Sequence, residues 1–168
     1  MPRRPPLGPL LAVPLLLLAG CTSGGGRTAR PTPTPTGPVA VAVPTGSAPI
    51  AVRACAALLA KLPAELAPGV RRRPVTPDAG RTAAWGAPEI TLQCGVEVGS
   101  LKDQPFGADG VTWAIHDIGA GQRWTTTGLG VNITLDIPDR YDAQAELIIG
   151  LSPAIKATLP SPRPAPGG

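Results

Sequence analysis

Apolar and polar positions alternate with different periods along the chain, and each period predicts an element. From Ala51 to Leu62 the apolar residues Val52, Cys55, Leu58, Leu59 and Leu62 recur close to helical spacing, with Arg53 and Lys61 left for solvent. Pro63 stops that helix, since proline lacks the amide proton the next turn needs. From Ile90 the period shortens to two: Ile90, Leu92, Cys94 and Val96 alternate with Thr91, Gln93 and Gly95. Val111, Trp113 and Ile115 repeat the pattern, as do Leu129, Val131, Ile133, Leu135 and Ile137, with Asn132, Thr134 and Asp136 opposite. Gly119 to Gly121 and Thr127-Gly128 read as the turns between strands. Pro138 and Asp139 open a second helical stretch through Tyr141, Ala145, Ile148 and Ile149, re-nucleated at Ser152-Pro153.

Helix, strands, helix, with one-sided alternation, predicts an α+β fold. Its expected form is a small antiparallel sheet with one face covered by an N-terminal and a C-terminal helix. No internal repeat is visible.

The two ends follow another logic. Arg3 and Arg4 precede the apolar run Leu7 to Leu18, which Gly8, Pro9 and Pro14 interrupt; at twelve residues it is too short to span a bilayer. A basic start, a short apolar run and small residues at Ala19 and Gly20 predict a signal peptide over residues 1–20. Leu18-Ala19-Gly20-Cys21 resembles the lipobox of bacterial lipoproteins, in which the cysteine thiol receives a diacylglyceryl group. Two acyl chains, each methylene contributing about 0.8 kcal/mol, anchor a protein stably where one does not. The expected localisation is therefore the extracytoplasmic face of the cell membrane, held by lipid on Cys21. Residues 21–50, with Thr22-Ser23-Gly24-Gly25-Gly26 and Pro31-Thr32-Pro33-Thr34-Pro35-Thr36, bury too little apolar surface to offset their ordering entropy and read as a tether. Residues 160–168 have the same character, which leaves 51–159 as one domain.

Composition narrows the chemistry. Of 23 prolines, 15 fall outside the stretch Pro63 to Pro153, so the chain supports one modest core. Removing Arg3 and Arg4 from the 15 basic residues leaves 13 against 11 acidic ones. With no basic stripe interleaved with aromatics, a nucleic-acid partner is not expected. One His and three Cys exclude multi-histidine metal sites and Cys-x-x-Cys redox pairs, and no cofactor is predicted. With Cys21 assigned to lipid, Cys55 and Cys94 remain on the apolar faces of a helix and a strand. In an oxidising compartment they predict a disulfide closing a loop of 39 residues, contributing roughly 4 kcal/mol; two buried thiols are the alternative.

Trp85-Gly86-Ala87-Pro88, Ile90-Thr91-Leu92-Gln93-Cys94-Gly95-Val96, Val111-Thr112-Trp113, Trp124-Thr125-Thr126 and Pro138 to Tyr141 resemble the actinobacterial lipoproteins grouped as domain of unknown function 3515. The resemblance spans most of Cys55 to Leu159. It implies an envelope location and a paired cysteine, and it brings no activity with it. Glu97-Val98-Gly99 and Leu129 depart from the Pro- and Arg-rich pattern expected there.

Candidate chemistry is sparse. His116 is the sole imidazole, so a cell-wall hydrolase or ligand-processing enzyme would have to pair it with Cys94, which stands in an apolar row rather than at a helix N-terminus. Asp136, Asp139 and Asp142 do not match the spacing of a calcium loop, and Asp139 with Asp142 suits a helix start. Arg71, Arg72 and Arg73 read by default as a solvated loop, and with Trp85 they are the candidate interaction surface for an envelope protein or wall component. For Trp85 a place in the core is the competing expectation. The leading expectation is a non-catalytic, lipid-anchored binding module, with no catalytic, cofactor or metal residues.

Overall fold

The computed structural model describes residues 37–46, 48–98 and 105–159. Cys21, the signal peptide expected over residues 1–20 and the tail expected over residues 160–168 lie outside them. In chain order the elements are β1 (Val39–Ala40), α1 (Pro49–Lys61), β2 (Arg72–Arg73), β3 (Val75–Thr76), β4 (Thr82–Trp85), β5 (Ile90–Val96), β6 (Pro105–Ala108), β7 (Val111–Asp117), β8 (Gly121–Thr127), β9 (Asn132–Pro138) and α2 (Gln144–Thr158).

The expected small sheet under two helices is overturned. The fold is mostly β: a seven-stranded antiparallel sheet in the order β2-β4-β5-β9-β8-β7-β6, and a separate parallel pair, β1 with β3. The missed strands are those in which no alternation shows. β6 contains Pro105 and Gly107, and β8 has Trp124 as its one large apolar residue. Its Thr126 stands in the core row, where the hydroxyl accepts the Ile133 amide at 2.9 Å and so replaces water. All four residues of β4 are buried, because both of its faces are covered. Ala83 and Trp85 join the main core, while Ala84 meets Val39 and Val41 in a second small cluster. Residues of the stretch read as a tether therefore enter the folded unit, and α1 starts at Pro49.

The two faces of the large sheet differ as the strand alternation demands. On one, Ile90, Leu92 and Cys94 of β5 line up with Ile133, Leu135 and Ile137 of β9, Trp124 of β8 and Trp113 of β7, all buried. Ala51, Cys55 and Leu58 of α1 and Leu147, Ile148, Leu151 and Ile155 of α2 complete this cluster. On the other face, Thr91, Asp136, Arg123 and His116 form a row across β5, β9, β8 and β7.

The predicted helix start at Pro138–Asp139 is also corrected. Pro138 ends β9, Asp139 to Ala143 turn, and α2 begins at Gln144 with no side-chain cap. Helical apolar spacing begins only where Leu147 and Ile148 reach the core. Pro153 lies inside α2 without breaking it, on the exposed side. Among the described residues no helix is long and apolar enough to cross a membrane.

Candidate functional site

Arg72 and Arg73 are successive residues of a two-residue strand, so their side chains leave opposite faces of the sheet. β2 pairs with β4 only at Trp85 and Ala84, and at Pro74 the chain turns away to enter β3. Proline suits such an exit, because it carries no amide proton to extend a ladder. The departure leaves a cleft of about 230 Å³ beside the β4 edge, bounded by Leu59 of α1, Arg72, Arg73, Asp78, Thr82 and Ala83.

Both guanidinium groups are held by neutral acceptors. Arg72 Nη1 donates to Leu59 O at 3.0 Å, and the group lies 5.7 Å from the centre of the Trp85 ring. Arg73 Nη1 donates to Gly86 O at 3.1 Å and Nη2 to Gly37 O at 2.8 Å. Among the described residues neither arginine forms an ion pair. Burial pulls the Arg72 pKa below its ordinary value, and the charge of Asp78 pulls it back. Two groups of residues that line the cleft are themselves enclosed, without accessible surface or a hydrogen-bond partner: Arg73 Nε and the Thr82 hydroxyl, in a residue only 1% exposed. An unpartnered buried donor is uncommon and costly.

The remaining predicted residues fall elsewhere. Trp85 is not a surface residue: it is fully buried, and its Nε1 donates to Pro63 O at 3.0 Å. Arg71 is exposed and stands outside the cleft. Cys55 and Cys94 are bonded to each other with Cα atoms 5.7 Å apart, both fully buried. Cys94 therefore presents no thiol to His116, which lies on the opposite face of the sheet beside Arg123. Arg123 Nε and Nη2 grip the Asp136 carboxylate at 2.7 and 2.8 Å, and that hydrogen bonding raises the arginine pKa. Asp139 and Asp142 are exposed in the turn before α2, and among the described residues no cluster is composed to hold a metal ion.

A family model described as "Protein of unknown function (DUF3515)" matches residues 11–164. The chain belongs to this family. Neither the curated proteins nor the solved structures give a match. In this DUF3515 chain the Trp85-Gly86-Ala87-Pro88 segment joins β4 to β5 and supplies the Gly86 carbonyl that holds Arg73. Tyr141 braces the same segment, donating its hydroxyl to Pro88 O at 2.7 Å. Thr82, Asp78 and Tyr141 went unnoticed as site residues in the sequence. Their positions depend on partners far along the chain, and no local spacing marks them.

Proposed function

We propose that this protein is a lipid-anchored module of the cell envelope, held by a diacylglyceryl group on Cys21 at the outer face of the cytoplasmic membrane, and that its domain binds rather than transforms its target. The observation that carries this reading is the buried Cys55–Cys94 disulfide, a bond that forms and persists in oxidising compartments. The arrangement of the N-terminal residues agrees: a basic start, a short apolar run, Leu-Ala-Gly-Cys, and a Gly, Thr and Pro-rich spacer. A cleft with two arginines bound only to carbonyls suits recognition of an envelope protein or wall component bearing negative charge.

The test is mass analysis of the protein recovered from its native host, beside a Cys21→Ala variant. Wild type should begin at a lipid-bearing Cys21 and sediment with membranes. The variant should carry no lipid. An unmodified Cys21 in wild type, or recovery of wild type from the cytosol, overturns the anchor.

A further inference from the structure

We infer that the outer half of α1 is a membrane-contact face, which rests at the headgroup level of an anionic bilayer and fixes how the domain stands on it. The inference goes beyond the binding role proposed above and rests on the membrane location given there.

Arg53 and Lys61 are the only polar residues among the 13 of α1. At 3.6 residues per turn, Ala51, Cys55 and Leu58 set one half of the helix against the core, and the opposite half is exposed. That half carries Ile50, Val52, Ala56, Ala57 and Ala60, with Ile50 58% and Val52 46% exposed. A helix that is apolar on every side is ordinarily covered on every side, whereas half of this one meets solvent. Its two charges are both positive and both exposed, and no acidic residue of α1 offsets them. Apolar surface carrying basic residues alone is the complement of an anionic lipid surface: the stems of Arg53 and Lys61 lie along the acyl boundary while their charges reach the phosphates. Glu65 follows the helix with its carboxylate accepting the Gly69 amide, and Glu97 lies beside Gly46 ahead of it; neither belongs to the exposed half. A second copy fits the face less well, since it would set two basic residues against two more with no acid between them. The helix start also suits an interface poor in water. Pro49 has no amide proton, and the amides of Ala51 and Val52 both donate to Ala48 O, at 2.9 and 3.2 Å. Reach permits the contact. The 16 residues that lead from Cys21 to Gly37 would span about 50 Å when extended, against a length of roughly 20 Å for α1.

Photolabelling tests the face. The protein recovered from its native host is reconstituted into vesicles of phosphatidylcholine, alone or mixed with phosphatidylglycerol, doped with a phospholipid that carries a diazirine at the acyl boundary. Mass analysis of the peptides locates the lipid adducts and reads the state of Cys21 in the same sample. With phosphatidylglycerol present, adducts should concentrate on the peptide holding Ile50 and Val52. They should fall about fivefold for each basic residue neutralised, Arg53→Gln or Lys61→Gln. Arg53→Lys keeps the charge and should label like wild type. Ile50→Asp keeps both basic residues and should lower labelling about tenfold. These positions are exposed, so the variants should melt as wild type does. The inference is overturned if α1 is labelled no more than the rest of the surface, or if phosphatidylcholine alone gives equal labelling. It is also overturned if an amine crosslinker joins Lys61 to a second copy or another protein in place of lipid adducts. Lipid-bearing Cys21 without adducts on α1 overturns the face and leaves the anchor standing; unmodified Cys21 with adducts on α1 does the reverse.

Discussion

Gly86 carries the turn from β4 to β5 with φ of +70°, a conformation that crowds a Cβ against the backbone. A Cβ there would also run into the Tyr141 hydroxyl and the Val70 side chain. Gly86→Ala is expected to destabilise the domain by about 2 kcal/mol or more, measured by urea denaturation. Tyr141 is the sole tyrosine of the chain, so phenolate absorbance reports it alone. Burial raises its pKa, with the positive charge of Arg140 acting in the opposite direction. The folded pKa therefore lies above the unfolded value of about 10. The associated stability is fully present below that unfolded value and is lost as pH rises through the folded pKa. The phenolate midpoint should be higher in native than in urea-unfolded protein, and Tyr141→Phe should flatten the alkaline fall in stability. At this scale the sequence marked the Trp-Gly-Ala-Pro segment but left the place of Trp85 open between core and surface. The structure places the ring in the core, fully buried, with its Nε1 donating to Pro63 O.

Among the elements, α1 and β5 are joined covalently. Cys55 stands on the buried stripe of the helix with Ala51 and Leu58, and Cys94 on the buried row of the strand with Ile90 and Leu92. Replacing both cysteines by alanine opens a loop of 39 residues and should cost roughly 4 kcal/mol in denaturant unfolding, chiefly by freeing the unfolded chain. β5, β7 and most of β9 were legible because each has one apolar and one polar side over four or more residues, and α1 because its apolar residues recur close to helical spacing. β4 was not, because covering both of its faces erases the contrast between them. β1, β2 and β3, at two residues each, are too short to show any period. α2 is legible as a helix, but its start lies six residues beyond the expected Pro138, since Pro138 completes the ladder opposite Gly121.

For the molecule as a whole, sheet order governs where stability is concentrated. β9 lies between β5 and β8, so a strand from late in the chain pairs with one that precedes β6, β7 and β8. Amide hydrogen exchange should be slowest in β5 and β9, which have paired neighbours on both sides and fully buried rows, and fastest in the edge strands β2 and β6. Equal protection at centre and edge would contradict that order. By itself the sequence determined the features that one segment's side chains encode: which side of β5, β7 and β9 is apolar, and that Cys55 and Cys94 lie on apolar sides; in α1 it marked Cys55 and Leu58 as interior but also Val52, which is exposed. The tertiary structure decided the rest: the seven-strand order, the burial of Val39 and Val41 against Ala84, and the cleft at the exit of β2. Periodicity records the contrast between two faces of an element. It does not record which distant segment covers each face, and the cleft exists because Pro74 takes the chain away from an edge that, among the described residues, no other strand fills.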